Sequence, residues 1–252
     1  MRVWNYIEEK LKQNKKMHMT LLDPDKQPPE KAGEMAKASA QAGTDAIMVG
    51  GSTGLNQANL DSTVQRIKSS SELPVILFPT AANFLCRYAD AIYFMSMLNS
   101  RNLKYVVGEH KKGAPVIKSL GLEPISMGYI VVEPGMKVGE VGEADLLSRD
   151  AFDDAAAYAL AAQYLGMRLV YFEAGSGAPE PVPVEMVKKI KSAIDIPLVI
   201  GGGIRTVDDA GAIADAGADI VVTGTIVEET GDIQPTLSAL ITAIKGRSEN
   251  RK

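Results

Sequence analysis

The run YFEAGSGAPEPV, residues 171–182, ends a short apolar stretch on one carboxylate, Glu173. A Gly-Ser-Gly turn and a proline-rich exit follow it. A carboxylate beside bare backbone N–H groups and a hydroxyl is what a proton acceptor next to a phosphate ester requires. A solvated surface turn would use the same residue types. Two further glycine-rich runs favour the phosphate reading. IGGGIRT supplies Gly201, Gly202 and Gly203, and VVTGT supplies Gly224 and Thr225. Glycines let main-chain donors approach an anion with no Cβ in the way. Gly175, Ser176 and Gly177 can add donors to the same anion. On the other side, LLDPDK offers Asp23 and VGGSTG offers Ser52. One or two protein oxygens, completed by waters and substrate phosphates, is the usual way Mg²⁺ is held. Asp25 reads as solvated or capping, and Lys26 as surface charge or an anion contact. His18 and His110 are not spaced as a metal pair and read as structural. Cys86, the single cysteine, reads as a packed thiol.

These residues need a frame that gathers them at one end. Eight apolar runs fit buried strands, at 18–24, 45–51, 74–80, 90–96, 123–132, 168–175, 196–203 and 218–225. Most are continuous blocks, the pattern of parallel strands covered on both faces. The segments between them have helical composition. PEKAGEMAKASAQAG has Pro near its first turn and stops at Gly43. VEMVKKIKSAI puts Val184, Val187, Ile190 and Ile194 on one face. Thr206 is placed to cap the helix that follows it. Strand and helix alternating eight times predict an α/β fold, a (β/α)8 TIM barrel forming one domain over residues 1–252. Such barrels place their sites at the C-terminal ends of the strands, often with phosphate at the last two loops.

Two irregularities stand out. Segment 2–14, with Trp4, Tyr6, Ile7 and Leu11, predicts an extra N-terminal helix plugging the barrel bottom. Between Thr80 and Asp90 there are nine residues. That is too short for a crossover helix with two loops, so helix 3 is predicted to be missing or shortened. A short tolerated loop and an apolar groove between neighbouring helices both fit. In the second case Phe84, Leu85 and Tyr88 would line the groove.

The bulk numbers narrow the field. The chain has 252 residues, 46% hydrophobic, which suits one large domain with a real core. A net charge of −4 argues against a nucleic-acid partner. The N-terminus has no signal-like apolar core, and no run of about 18 apolar residues exists. With one cysteine, this predicts a cytoplasmic protein without a transmembrane segment, whose only membrane contact would be peripheral.

Together, LLDPDK, IMVGGSTG, LFPT, LNSRN, YFEAGSGAPEPV, VIGGGIRT and VTGTIVEE resemble the geranylgeranylglyceryl phosphate synthases, from Asp23 to Glu228. These are archaeal-type prenyltransferases with relatives in some bacteria. The resemblance implies an ether bond formed between the 3-hydroxyl of sn-glycerol 1-phosphate and geranylgeranyl diphosphate, with diphosphate released and Mg²⁺ as cofactor. It implies Asp23 and Ser52 at Mg²⁺, and Tyr171, Phe172, Glu173, Ala174, Gly175, Ser176 and Gly177 as the glycerol phosphate loop, with Glu173 as base. Gly202, Gly203, Gly224 and Thr225 would contact the phosphate. The prenyl tail would follow the gap left by helix 3, past Phe84 and Tyr88, with Tyr105 as a floor; a core or surface tyrosine suits Tyr105 equally. Leu21 stands where some bacterial relatives carry a basic residue. That points to the C20 donor rather than a heptaprenyl one, and to a homo-oligomer as large as a hexamer. Two alternatives keep the same barrel. A phosphosugar isomerase or lyase needs an acid/base pair or a strand-end lysine, and only Asp23 and Glu173 are available as a pair. A non-catalytic phosphate-binding barrel needs neither.

Overall fold

In the computed structural model, which describes residues 2–14, 16–51, 56–229 and 232–246, all eight apolar runs form parallel strands. They are β1 (Met17–Leu22), β2 (Ala46–Val49), β3 (Val75–Leu77), β4 (Ala91–Met97), β5 (Glu123–Val131), β6 (Leu169–Glu173), β7 (Leu198–Gly201) and β8 (Ile220–Thr223). They pair in chain order, and β8 pairs back to β1 to close the barrel. Alternate residues face opposite ways. Met17, Met19, Met48 and Tyr171 fill the lumen, while Leu22, Ile47, Val49 and Phe172 pack under the outer helices. Both faces are therefore dry, which is why the strands read as unbroken apolar blocks.

The predicted N-terminal helix is α1 (Val3–Asn14), and it closes the bottom. Val3 and Ile7 join the lumen cluster. The Val3 and Trp4 N–H groups donate to the Glu123 carboxylate at 2.6 and 3.3 Å, tying the helix start to the first residue of β5. α2 (Pro29–Ala42) starts on its proline and stops at Gly43, whose φ of 99° is the left-handed cap expected of glycine. α3 (Gln57–Ser70) packs beside it.

No helix connects β3 to β4. The loop instead buries Cys86 and Ala89 in the outer core. Burial pushes the Cys86 thiol up to about 12, so it is inert as a nucleophile. After β4, a π-helical turn, Lys104–Gly108, leads into α4 (Glu109–Leu120). α5 (Met136–Val141) is a short lip above the barrel, and α6 (Phe152–Tyr164) and α7 (Val184–Ala193) continue the outer ring. α8 (Val207–Ala216) opens on a reciprocal cap. The Thr206 hydroxyl accepts from the Asp209 N–H at 3.0 Å, and the Asp209 carboxylate accepts from the Thr206 N–H at 3.1 Å. α9 (Thr225–Glu229) and α10 (Ile233–Gly246) complete the described chain. No helix among the described residues is long and apolar enough to cross a membrane.

Candidate active site

The side-chain alternation of β6 sorts the YFEAG run. Tyr171 joins the lumen cluster and Glu173 opens into the barrel mouth, while Phe172 and Ala174 lie in the outer core. Phe172 and Ala174 therefore stand apart from the cavities, a correction to their grouping with the glycerol phosphate loop. Successive strand residues must point to opposite faces. The Ala174 backbone is also taken: its N–H donates to Gly201 O and its carbonyl accepts from the Gly135 N–H, both at 3.1 Å.

Gly175 is not among the cavity walls either, since its N–H is given to the Glu173 carboxylate, but the remaining residues of the predicted cradle do meet. Ser176, Gly177, Gly202, Gly203, Gly224 and Thr225 line one cavity of about 410 Å³, with Tyr171 and Glu173 at its edge. The Ser176 and Thr225 hydroxyls are 3.2 Å apart, which joins the loops after β6 and β8. The Arg205 guanidinium donates to Gly177 O at 3.1 Å and joins the loops after β6 and β7. Arg205 also lines the cavity. It stood in the quoted GGGIRT run, but nothing local in that run aims it inward. Gly202 has φ of 80°, and a Cβ there would run into the Glu173 carboxylate and the Gly175 N–H. Only glycine fits that approach.

Glu173 is 6% exposed, and its Oε1 accepts from the Gly175 N–H at 2.7 Å. Burial pushes its carboxyl above the usual carboxylate range, against the pull of the Gly175 N–H and the Tyr171 and Tyr129 hydroxyls. Burial first, and then the Glu173 charge, push both tyrosines well up, so they stay protonated as donors. Tyr129 faces Tyr171 across the β5–β6 register, with ring centroids 5.2 Å apart at 83°. Phe78 lies 5.6 and 5.7 Å from the same two rings. This aromatic layer belongs to the lumen under the carboxylate. The sequence reading missed Tyr129, although its strand was located correctly.

The mouth is a cavity of about 810 Å³ bordered by Asp23, Lys26, Gly51, Phe78, Glu173 and Val141. Asp23 Oδ1 accepts from the Asp25 N–H at 3.0 Å. A Cβ on Gly51 would meet the Asp23 carboxylate, so the bare backbone keeps that carboxylate in place. Ser52, the other predicted Mg²⁺ position, lies outside the described residues. Among the described residues no three His, Cys, Asp or Glu side chains form a metal cluster. The Asp23 carboxylate at the mouth fits an Mg²⁺ ion carried mostly by diphosphate and water, rather than a protein cage. The LNSRN run serves the lip. The Asn99 amide donates to Val131 O and Asp145 O, both at 2.9 Å, and the Ser100 hydroxyl donates to Gly142 O at 2.7 Å. These bonds hold α5 where Val138 and Val141 border the mouth.

From the mouth an apolar groove of about 560 Å³ runs out where the third helix is missing. Tyr105 borders both, at their junction. Ala82, Leu85, Ile92, Phe94, Gly113 and Ile117 line the groove. Phe84 and Tyr88 are not among its walls: Phe84 packs into the outer core and Tyr88 is 43% exposed. The loop turns Leu85 inward in their place. His110 also borders the groove, edge-on to Phe94 at 4.4 Å, and burial lowers its pKa. His18 is buried behind the sheet, 2.7 Å from the Thr44 hydroxyl and 2.9 Å from the Thr223 hydroxyl, and burial holds its pKa near about 3. Both histidines are neutral at ordinary pH, and neither reaches Glu173 or Asp23 among the contacts of the site.

Three cavities are thus joined: a backbone cradle, a mouth with two carboxylates, and an apolar groove. Residues 8–244 match the PcrB family. The chain is 53% identical to the geranylgeranylglyceryl phosphate synthase of Thermococcus sibiricus, over 98% of this chain and 97% of that one. It is 57% identical to that of Pyrococcus abyssi, over 90% of each. It superposes with a TM-score of 0.94 on the crystal structure of (S)-3-O-geranylgeranylglyceryl phosphate synthase from Thermoplasma acidophilum in complex with substrate sn-glycerol-1-phosphate, at 46% identity over 98% of this chain and 99% of that one. The cradle, the mouth and the groove are therefore those of a member of the PcrB family, and the chain groups there with the geranylgeranylglyceryl phosphate synthases.

Proposed function

We propose that the protein joins the 3-hydroxyl of sn-glycerol 1-phosphate to geranylgeranyl diphosphate in an ether bond and releases diphosphate. The observation that carries this reading is the continuity of the three cavities. Leu21, Glu173, Ser176 and Gly224 border both cradle and mouth, and Tyr105 borders both mouth and groove. A phosphate in the cradle puts its glycerol hydroxyls beside Glu173. A tail in the groove brings its allylic carbon to the mouth. The hydroxyl proton passes to Glu173, the oxygen bonds to the allylic carbon, and the carbon–diphosphate bond breaks. Burial raises the Glu173 pKa, which makes its carboxylate a stronger base toward the hydroxyl proton than a solvated one. Asp23 and Ser52 would hold Mg²⁺, which when bound neutralises the leaving diphosphate. The aromatic layer and the apolar groove keep water from the electron-poor carbon. A homo-oligomer, up to a hexamer, belongs to the same proposal and is read by light scattering.

The test is product formation from labelled sn-glycerol 1-phosphate with geranyl, farnesyl, geranylgeranyl and heptaprenyl diphosphates, with Mg²⁺ and with chelator. Mg²⁺-dependent product peaking with the geranylgeranyl donor is expected. Product with none of them would overturn the reading, and a heptaprenyl optimum would correct the donor. The sn-glycerol 3-phosphate enantiomer should react poorly, since cradle and base together define one hydroxyl.

A further inference from the structure

The segment from Arg101 to Leu120 has two faces. Its inner face supplies Tyr105, Glu109, His110, Gly113 and Ile117 to the groove wall. Its outer face is exposed at Leu103 (73%) and Val107 (56%), and at Lys104, Lys111 and Lys118. Residues 101–120 hold Arg101, Lys104, Lys111, Lys112 and Lys118 against Glu109 alone, a net of +4 in a chain whose net charge is −4. Of the five, Lys112 is ion-paired, to Glu109 at 2.9 Å. The loop that replaces the third helix adds exposed Arg87 and Tyr88 beside Leu85, which lines the groove. Basic groups interleaved with exposed aliphatic and tyrosine side chains complement one kind of surface well. Cations meet anionic headgroups, and apolar side chains settle at the headgroup–acyl boundary.

We propose that this outer face docks on an anionic lipid bilayer, so that the open groove meets the membrane and takes its oily donor directly from it. The donor-delivery part rests on the prenyl reading of the groove; the surface binding does not. The positive charge is local, so an otherwise acidic protein approaches the bilayer with one orientation. Exposed Tyr88 then has a place at the interface, where its ring and hydroxyl both find partners.

The experiment is flotation of the full chain with vesicles of phosphatidylcholine alone or mixed with phosphatidylglycerol. Binding is expected only to the mixed vesicles, weakening as salt rises. The variant Lys111→Glu/Lys118→Glu should bind them at least about tenfold more weakly. Leu103→Ser/Val107→Ser should weaken binding with less change in its salt dependence. All four positions are exposed, so both variants should melt like the parent. Their turnover should match the parent on donor in detergent micelles and fall on donor embedded in vesicles. No flotation with phosphatidylglycerol, flotation undiminished in the charge-reversed variant, or a change of oligomeric mass in that variant would each overturn the proposal. The last would assign the face to a second copy of the chain. Vesicle binding without product from any donor would leave the docking face standing and sink the synthase reading.

Discussion

The loops after β6 and β7 and the loop after β3 stand on opposite sides of one barrel rim. On the first side the chain crowds in with bare backbone. Gly175, Gly177, Gly202 and Gly203 all have positive φ, at 102°, 78°, 80° and 71°. On the other side the chain withdraws: a helix is left out, and Ile92 and Phe94 line an open groove in its place. An anion is met by adding donors at close range, and a hydrocarbon by leaving room. The consequence is a difference in tolerance. Hydrogen bonds depend on distance and angle, so one added carbon spoils the cradle. Dispersion contacts are weak one by one and have no direction, so the groove adapts to shape and fails only when filled.

Glu173→Gln tests the polar side most severely. Turnover should fall by about 10²–10⁴-fold while phosphate binding by calorimetry changes little. The folded-state pKa of Glu173 lies above its unfolded value. The stability linked to it is therefore complete when the group is protonated, and is lost as pH rises from the usual carboxylate range through the raised value. The Gln variant should thus melt no lower than the parent at neutral pH. Full activity in this variant would remove Glu173 from the chemistry.

Gly202→Ala comes next. The added Cβ meets the Glu173 carboxylate and the Gly175 N–H at a strained φ, so kcat/KM for sn-glycerol 1-phosphate should drop more than about tenfold. KM for the prenyl donor should stay near the parent value. Equal losses for both substrates would mean that the two sides are not separate.

Gly113→Leu probes the apolar side. Gly113 lines the groove, and a Cβ there makes only ordinary contact with Ala82. Filling that space should cost about tenfold in kcat/KM with geranylgeranyl diphosphate, and little with geranyl diphosphate. Parallel losses with both donors would show that the tail lies elsewhere.

Tyr129→Phe should give the smallest effect. It removes one of the donors that hold Glu173 down. The base must be ionised, so activity falls as pH drops through its raised pKa, and the variant should move that acid limb to higher pH. An unmoved limb would leave Tyr129 with a packing role only.

Much of the frame was legible because its signals are local. Gly43 ends α2 through its own φ, and Thr206 and Asp209 cap α8 within four residues of chain. Nine residues cannot hold a crossover helix, so the gap after β3 followed from counting. Glu173 was legible because a charge at the end of an apolar strand has few places to go. Less of the site was legible than of the frame. Phe172 and Ala174 were grouped with Tyr171 and Glu173, and Phe84 and Tyr88 with Leu85, while Tyr129 and Arg205 went unassigned.

Those misses share a cause. A strand buried on both faces carries no polar alternation, so its residues do not announce which face is the lumen. The β5–β6 register that sets Tyr129 against Tyr171 pairs residues 42 positions apart. The loop after β3 has no repeating hydrogen-bond pattern to aim Leu85 and not Phe84. The sequence by itself determined the eight strands, the caps, the missing helix and the carboxylate at the strand end, because each depends on neighbours along the chain. Which side chains meet around that carboxylate was decided only by closing the barrel, because packing, not local geometry, sets where a doubly buried strand and an irregular loop point.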